Sequence, residues 1–172
     1  MRRGVRLALD VGTVRVGVAA SDPAGLLAMP VTTVRRDQGS RGLDLEQIRA
    51  LVAEHDAVEV VVGLPRGMGG QEGASARAAR AYAVLVARMI FPVPVRLVDE
   101  RLSTVSAHRA LHAAGRRGRR HRAVVDQVAA VTILQSALDA ERATSTPPGE
   151  PVTVPAPAPQ DPENRLHEGD AE

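Results

Sequence analysis

Three acidic residues in apolar surroundings carry the chemical interest of this chain. Asp10 lies in Val5–Val11 (VRLALDV) ahead of Gly12, Glu100 in Leu97-Val98-Asp99-Glu100-Arg101, and Asp126 in Val124-Val125-Asp126-Gln127-Val128-Ala129-Ala130. A carboxylate among apolar residues is expensive to bury unless it is paired or binds a metal. Three of them converging from strand, strand and helix would offer hard oxygen ligands to Mg²⁺ or Mn²⁺, and Mg²⁺ keeps several waters, so a few carboxylates suffice. Two such cations about 4 Å apart, one activating water and one stabilising the leaving oxygen, cleave a phosphodiester. Asp10, Glu100 and Asp126 are therefore the candidate catalytic residues and metal ligands, with Asp99 a further ligand candidate.

Each acid also has a plainer reading. Asp10 alternates with Arg6 and Ala8 along its strand, and it could simply hydrogen-bond within the Gly12 turn that follows. Asp126 shares a helical face with Ala129, Ala130, Ile133 and Ala137 at about 100° per residue, a small apolar stripe suited to close approach. It could bind a cation from that face or, near a helix start, cap the helix. Asp99 and Glu100 end a strand and point to opposite faces; either could pair with Arg101 at the surface.

The elements that must position these acids follow from periodicity. Residues 5–11, 14–21 and 28–35 read as three strands joined by short turns, hence antiparallel neighbours. Asp44–His55 has helical spacing. Val58–Gly63 is a nearly all-apolar strand of the kind buried on both faces. Leu64–Gly73, with four glycines, reads as a mobile loop whose amides could meet phosphate. A helix over 74–90, a strand at Val95–Val98, a helix from an N-cap at Ser103 to Ala114 and a last helix over 123–142 complete the series. The fold class expected is α/β: a five-stranded mixed sheet, three antiparallel strands then two parallel, flanked by helices.

The 172 residues suit one domain. There is no cysteine, which excludes disulfides and thiolate metal sites and suits a reducing cytoplasm. No apolar stretch is long enough for a membrane span. His108 and His112 have i, i+4 spacing but lack the remaining ligands of a zinc helix.

All 22 basic residues are arginine. Residues 1–144 carry a net charge of +7 and residues 145–172 one of −5. The first part is basic, as nucleic-acid proteins are. The second holds seven of the twelve prolines and reads as a disordered acidic tail. Arg116, Arg117, Arg119, Arg120 and Arg122 crowd into Gly115–Arg122 just ahead of Asp126. They form either a solvated connector or a phosphate-backbone contact. Gly12, Arg15, Arg66 and Arg101 are the other candidate nucleic-acid contacts.

Four motifs, in order, resemble one known family: Ala8-Leu9-Asp10-Val11-Gly12 with Gly17-Val18-Ala19; Val62-Gly63-Leu64-Pro65; Val98-Asp99-Glu100-Arg101-Leu102-Ser103-Thr104; and Asp126-Gln127-Val128-Ala129-Ala130 with Ile133-Leu134-Gln135. They look like the YqgF family, whose members are called pre-16S rRNA nucleases or Holliday junction resolvase-like proteins. The match runs over about residues 5–140 and leaves out the tail. It implies a ribonuclease H-like fold and a metal-dependent cytoplasmic nuclease with Asp10, Glu100 and Asp126 as catalytic acids. The implied role is 5′-end processing of pre-16S rRNA in ribosome biogenesis, or alternatively cleavage of four-way DNA junctions. Many nucleases of this fold end the fourth strand with an acid; Gly63-Leu64-Pro65 stands there, which shifts that duty to Asp99 or Glu100.

Two other classes compete. Sugar kinases and actin-like proteins open with a similar strand–turn–strand, but they pair two such domains over several hundred residues. A non-catalytic nucleic-acid-binding assembly factor would keep the fold without needing the acids. Symmetric cutting of a two-fold junction would favour a homodimer.

The arginine cluster gives a first testable outcome. Changing Arg116, Arg117, Arg119 and Arg120 to alanine should weaken nucleic-acid binding and flatten log K against log salt, by about one unit for each phosphate no longer neutralised. An unchanged slope in a salt titration would make the segment a solvated connector.

Overall fold

The computed structural model describes residues 2–37, 39, 41–67, 70–100 and 119–156. Strand β1 (Arg6–Val11), β2 (Arg15–Ser21) and β3 (Ala28–Arg35) form an antiparallel meander. Helix α1 (Leu43–Glu54) leads to β4 (Glu59–Leu64), and α2 (Ala74–Met89) leads to β5 (Val95–Asp99). Helix α3 (Arg119–Thr144) is followed by a short strand β6 (Glu150–Pro151). The sheet order is β3-β2-β1-β4-β5-β6, with β4 parallel to both β1 and β5. The short turns of the first third force antiparallel neighbours, whereas the helical crossovers return β4 and β5 in parallel.

Two features depart from the sequence reading. The sheet has six strands, because Glu150 and Pro151, in the segment expected to lack structure, pair antiparallel with Leu97 and Arg96. Arg96 donates to the carbonyls of Pro148 at 2.7 Å, Gly149 at 2.7 Å and Pro147 at 3.4 Å, and Val152 and Val154 pack on the core. A proline-rich segment keeps free carbonyls, and a long-range donor collects them. The expected boundary at residue 144 therefore does not end the ordered fold. Residues 119–122, expected as part of a connector, belong instead to α3. The expected helix over 103–114 with its Ser103 cap, together with His108 and His112, lies outside the described residues.

Strand alternation sorts the core onto two faces. Leu7, Leu9, Val16, Val18, Val60 and Val62 face α1 and α2, meeting Ile48, Val52, Tyr82 and Val86. Ala8, Ala19, Val61 and Val98 face α3, meeting Ala130, Ile133, Leu134, Ala137 and Leu138. The α3 face of the sheet is built of smaller residues, so that one helix lies close along it.

At the end of the sheet remote from Asp10, charge locks α3 in place. Arg6 and Glu59 are 1% exposed and Glu141 is 3% exposed. Arg2 donates to Glu59 at 2.8 and 2.9 Å and to Glu141 at 2.9 and 3.2 Å, and Arg6 donates to Glu141 at 3.2 Å. The network ties β1, β4 and the end of α3 together. Hydrogen bonding to Arg2 holds the Glu141 carboxyl below its usual range, against the opposing effect of burial.

A depressed carboxylate contributes stability above its unfolded pKa and loses it as pH falls through the folded value. Glu141→Gln should therefore cost about 3 kcal/mol at neutral pH, leaving buried arginine charge uncompensated. The gap from wild type should narrow below about pH 4.3. Denaturant unfolding at pH 7 and pH 3 measures both; a gap that does not change with pH would remove the charge from the explanation.

Candidate functional site

Asp10 sits on β1 one residue before its end, 8% exposed, with Gly17 of β2 as its register partner. The chain reverses through Thr13 and Val14, and the Gly12 amide donates to the Arg15 carbonyl at 2.8 Å. A Cβ at Gly12 would meet that same oxygen at 2.8 Å, so the turn leaves no space for a side chain there. Arg36 braces the turn: its Nη1 donates to the Gly12 carbonyl at 3.1 Å, and its backbone amide donates to the Val14 carbonyl at 2.8 Å.

Arg36 is itself positioned from the opposite face. Its guanidinium lies 4.3 Å from the Tyr82 ring centroid and its Nε 3.3 Å from Asp44 Oδ2. The Tyr82 hydroxyl donates to Asp44 at 3.2 Å. Burial, and then the adjacent Asp44 charge, push the Tyr82 hydroxyl well above its usual pKa, so it remains a donor. Sequence reasoning missed this trio. Its one visible sign was a polar side chain on each of two otherwise apolar helix faces.

Asp126 lies well inside α3, which begins at Arg119, so it does not cap the helix. It sits directly over Gly17: a Cβ there would fall 2.1 Å from the Asp126 carbonyl oxygen and 3.2 Å from its Cβ. Asp126 thus shares the sheet end occupied by Asp10. Its carboxylate accepts a hydrogen bond from Arg15 Nε at 2.8 Å. Arg15, expected to meet nucleic acid, pairs here with one of the candidate ligands. Alternation explains this: Arg15, Gly17 and Ala19 share a face of β2, and that face meets α3.

Glu100 follows β5 on the same side. A Cβ at Gly63 would meet Glu100 Oε1 at 2.7 Å and Ile133 Cδ1 of α3 at 2.5 Å. Glycine at the end of β4 thus provides the space that Glu100 occupies. Asp99 takes the other direction and lies 3.8 Å from Arg66, which also contacts Glu72 at 3.3 Å. Glu72 pairs with Arg80 at 2.6 Å, and Arg80 with Glu150 of β6. Arg66, another expected nucleic-acid contact, is held in this ladder of alternating charge. Arg119, Arg120 and Arg122 fall in the first turns of α3, while Arg101, Arg116 and Arg117 lie outside the described residues.

The three candidate acids therefore share one face and one end of the sheet, but they are not gathered on a common point. Among the described residues, no three acidic or histidine side chains are close enough to hold one ion. Asp126 turns to Arg15 instead. The donor set, all carboxylate oxygen, suits a hard divalent cation. The glycines at 17 and 63 make the space that Asp126 and Glu100 occupy, and the Arg15 guanidinium supplies positive charge at Asp126. In chemistry these residues fit such a cation, and all three lie at one end of the sheet face that meets α3.

A family model described as "RuvX: Holliday junction resolvase" matches residues 4–140. The chain belongs to the RuvX family. This is the family that the motifs resembled under the name YqgF. Two relatives named "Putative pre-16S rRNA nuclease" are similar over most of its length. The one from Thermobifida fusca is 55% identical over 157 residues, 87% of this chain and 96% of the relative. The one from Kineococcus radiotolerans is 57% identical over 155 residues, 90% of this chain and 81% of the relative. Among solved structures, T. thermophilus RuvC in complex with a Holliday junction substrate matches with a TM-score of 0.51 at 17% identity. It covers 87% of this chain and 99% of that one. That likeness concerns the fold, which is ribonuclease H-like, and this RuvX-family chain is a nuclease by its relatives. No helix among the described residues is long and apolar enough to cross a membrane.

Gly17→Ala tests the helix–sheet contact that places Asp126. The added methyl would fall on α3 backbone, which cannot give as a side chain can, and overpacking of this kind costs about 1–3 kcal/mol. A lower melting temperature is expected, with cleavage falling further than stability alone explains. A Gly17→Ala protein as stable and active as wild type would mean that α3 does not hold this approach in solution.

Proposed function

We propose that this chain is a divalent-metal-dependent endonuclease that cuts pre-16S rRNA during 5′-end processing, acting in the cytoplasm with Mg²⁺ or Mn²⁺. One observation carries the reading: Asp10, Glu100 and Asp126 reach the same face and the same end of the sheet from β1, β5 and α3. The chain is also more than half identical to relatives named for that activity.

Asp10, Glu100 and Asp126 would hold the metal. A bound divalent cation supplies charge neutralisation and lowers the pKa of water. The protein's part is orientation. Asp10 is fixed by the β1–β2 hairpin and the Arg36 brace, and Glu100 by the space over Gly63. Asp126 is fixed by the contact of α3 with Gly17. Burial around Asp10 excludes bulk water and strengthens every charge interaction there. Gly12, Arg15, Arg66 and the arginines at 101, 116, 117, 119, 120 and 122 would meet the phosphate backbone, fixing register without reading bases. Asp99 is the weaker ligand candidate because its carboxylate lies beside Arg66.

The family description favours a second substrate, a four-way DNA junction. Cutting it symmetrically would need two copies of the chain. A non-catalytic assembly factor would have no use for three acids at one sheet end.

The test is cleavage of a pre-rRNA fragment and a four-way junction with Mg²⁺, Mn²⁺ or EDTA. Asp10→Asn and Glu100→Gln should abolish metal-dependent cleavage with melting temperatures near wild type. Asp99→Asn should retain most of it. If Asp99→Asn is the more damaging of the strand-five pair, the ligand assignment changes; cleavage that survives in EDTA ends the metal reading.

A further inference from the structure

The contact between Arg15 and Asp126 has no role in holding a cation, yet it engages one of the three acids proposed to do so. Arg15 Nε donates to Asp126 Oδ2 at 2.8 Å, and both side chains are 27% exposed. The backbone leaves Arg15 little choice of direction. It opens β2 after a turn closed by its own carbonyl, and it alternates with Gly17 and Ala19 toward α3.

The pair opens where each partner finds another. A guanidinium fork fits a phosphate as well as a carboxylate, and the hairpin lies at the mouth of the sheet where a phosphodiester must arrive. A carboxylate released by arginine is a hard ligand for a divalent cation.

We propose that Arg15 is a positioning residue that exchanges partners. In the free protein it occupies Asp126 in place of the metal, and a phosphate of the bound strand draws it away and completes the metal site. The inference rests on the reading of Asp126 as a ligand. It links the two events thermodynamically: phosphate at Arg15 tightens cation binding, and cation at Asp126 tightens phosphate binding by the same factor. A protein without substrate then holds its cation weakly, and stray hydrolysis is suppressed until a strand is seated.

The experiment is Mn²⁺ binding to the nucleic-acid-free full chain, read from the electron paramagnetic resonance signal of free Mn²⁺, beside a melting curve in EDTA. Arg15→Gln should bind Mn²⁺ on the order of tenfold more tightly than wild type, equivalent to about 1.4 kcal/mol. Arg15→Lys keeps the charge but not the Nε donor and should fall between them. In an Asp126→Asn background the effect of Arg15→Gln should vanish. Asp10→Asn serves as the control for the metal site itself. If Asp10→Asn weakens Mn²⁺ binding while Arg15→Gln leaves it at the wild-type value or lower, the exchange is overturned and the pair is a staple for α3. If Asp10→Asn and Asp126→Asn both bind Mn²⁺ like wild type, the metal assignment fails, and the exchange with it.

Discussion

Everything proposed for this molecule depends on how closely α3 lies on the sheet. A helix normally stands off by the thickness of two side chains. Here the Asp126 backbone comes so near β2 that the space a methyl would need at Gly17 is already occupied. Alanines on both surfaces continue the approach: Ala8 and Ala19 from the strands, Ala130 and Ala137 from the helix. Without that closeness a helix-borne carboxylate would hang above the sheet rather than share its end with Asp10. Packing density and chemistry are therefore set by the same small residues.

Charge finishes what packing begins, and arginine carries it at both ends. At one end Arg2 and Arg6 bind Glu59 and Glu141, fixing the far part of α3 against β1 and β4. At the other, Arg36 supports the hairpin and Arg15 meets Asp126. Arg6 retains buried nitrogens without hydrogen-bond partners among the described residues, so the far network is not a fully satisfied one there. An apolar substitute of similar volume could be more stable. What the charges contribute is a defined seating of the far end of the helix against β1 and β4.

Much of this was legible in the residues. Alternation in β1 and β2, the nearly all-apolar β4 and the spacing in α1 and α2 gave the order of elements, because local burial patterns decide them. The same alternation separates Asp99 from Glu100, and the small stripe behind Asp126 announces a buried face. Partners were not legible. Nothing local tells Arg15 that its carboxylate lies on a helix more than a hundred residues away, or tells Arg96 to collect carbonyls from the segment after α3. Composition misled most at residues 150–151: a proline-rich acidic stretch reads as unstructured, while its order comes from strand pairing, Arg96 and two valines.

The strap that ends in β6 also changes the outline of the sheet. Without it, the outer margin of β5 would display a row of amides and carbonyls, a template on which another molecule could add a strand. Gly149, with φ of 73° and no room for a Cβ beside the Leu97 carbonyl, lets the strap settle against that margin. The opposite margin, β3, carries Pro30, which has no amide hydrogen to offer. During synthesis the strap emerges after every other described element, so the β5 margin stays open until the strap docks. The growing chain is most prone to join its neighbours in the interval between the completion of α3 and the docking of Glu150.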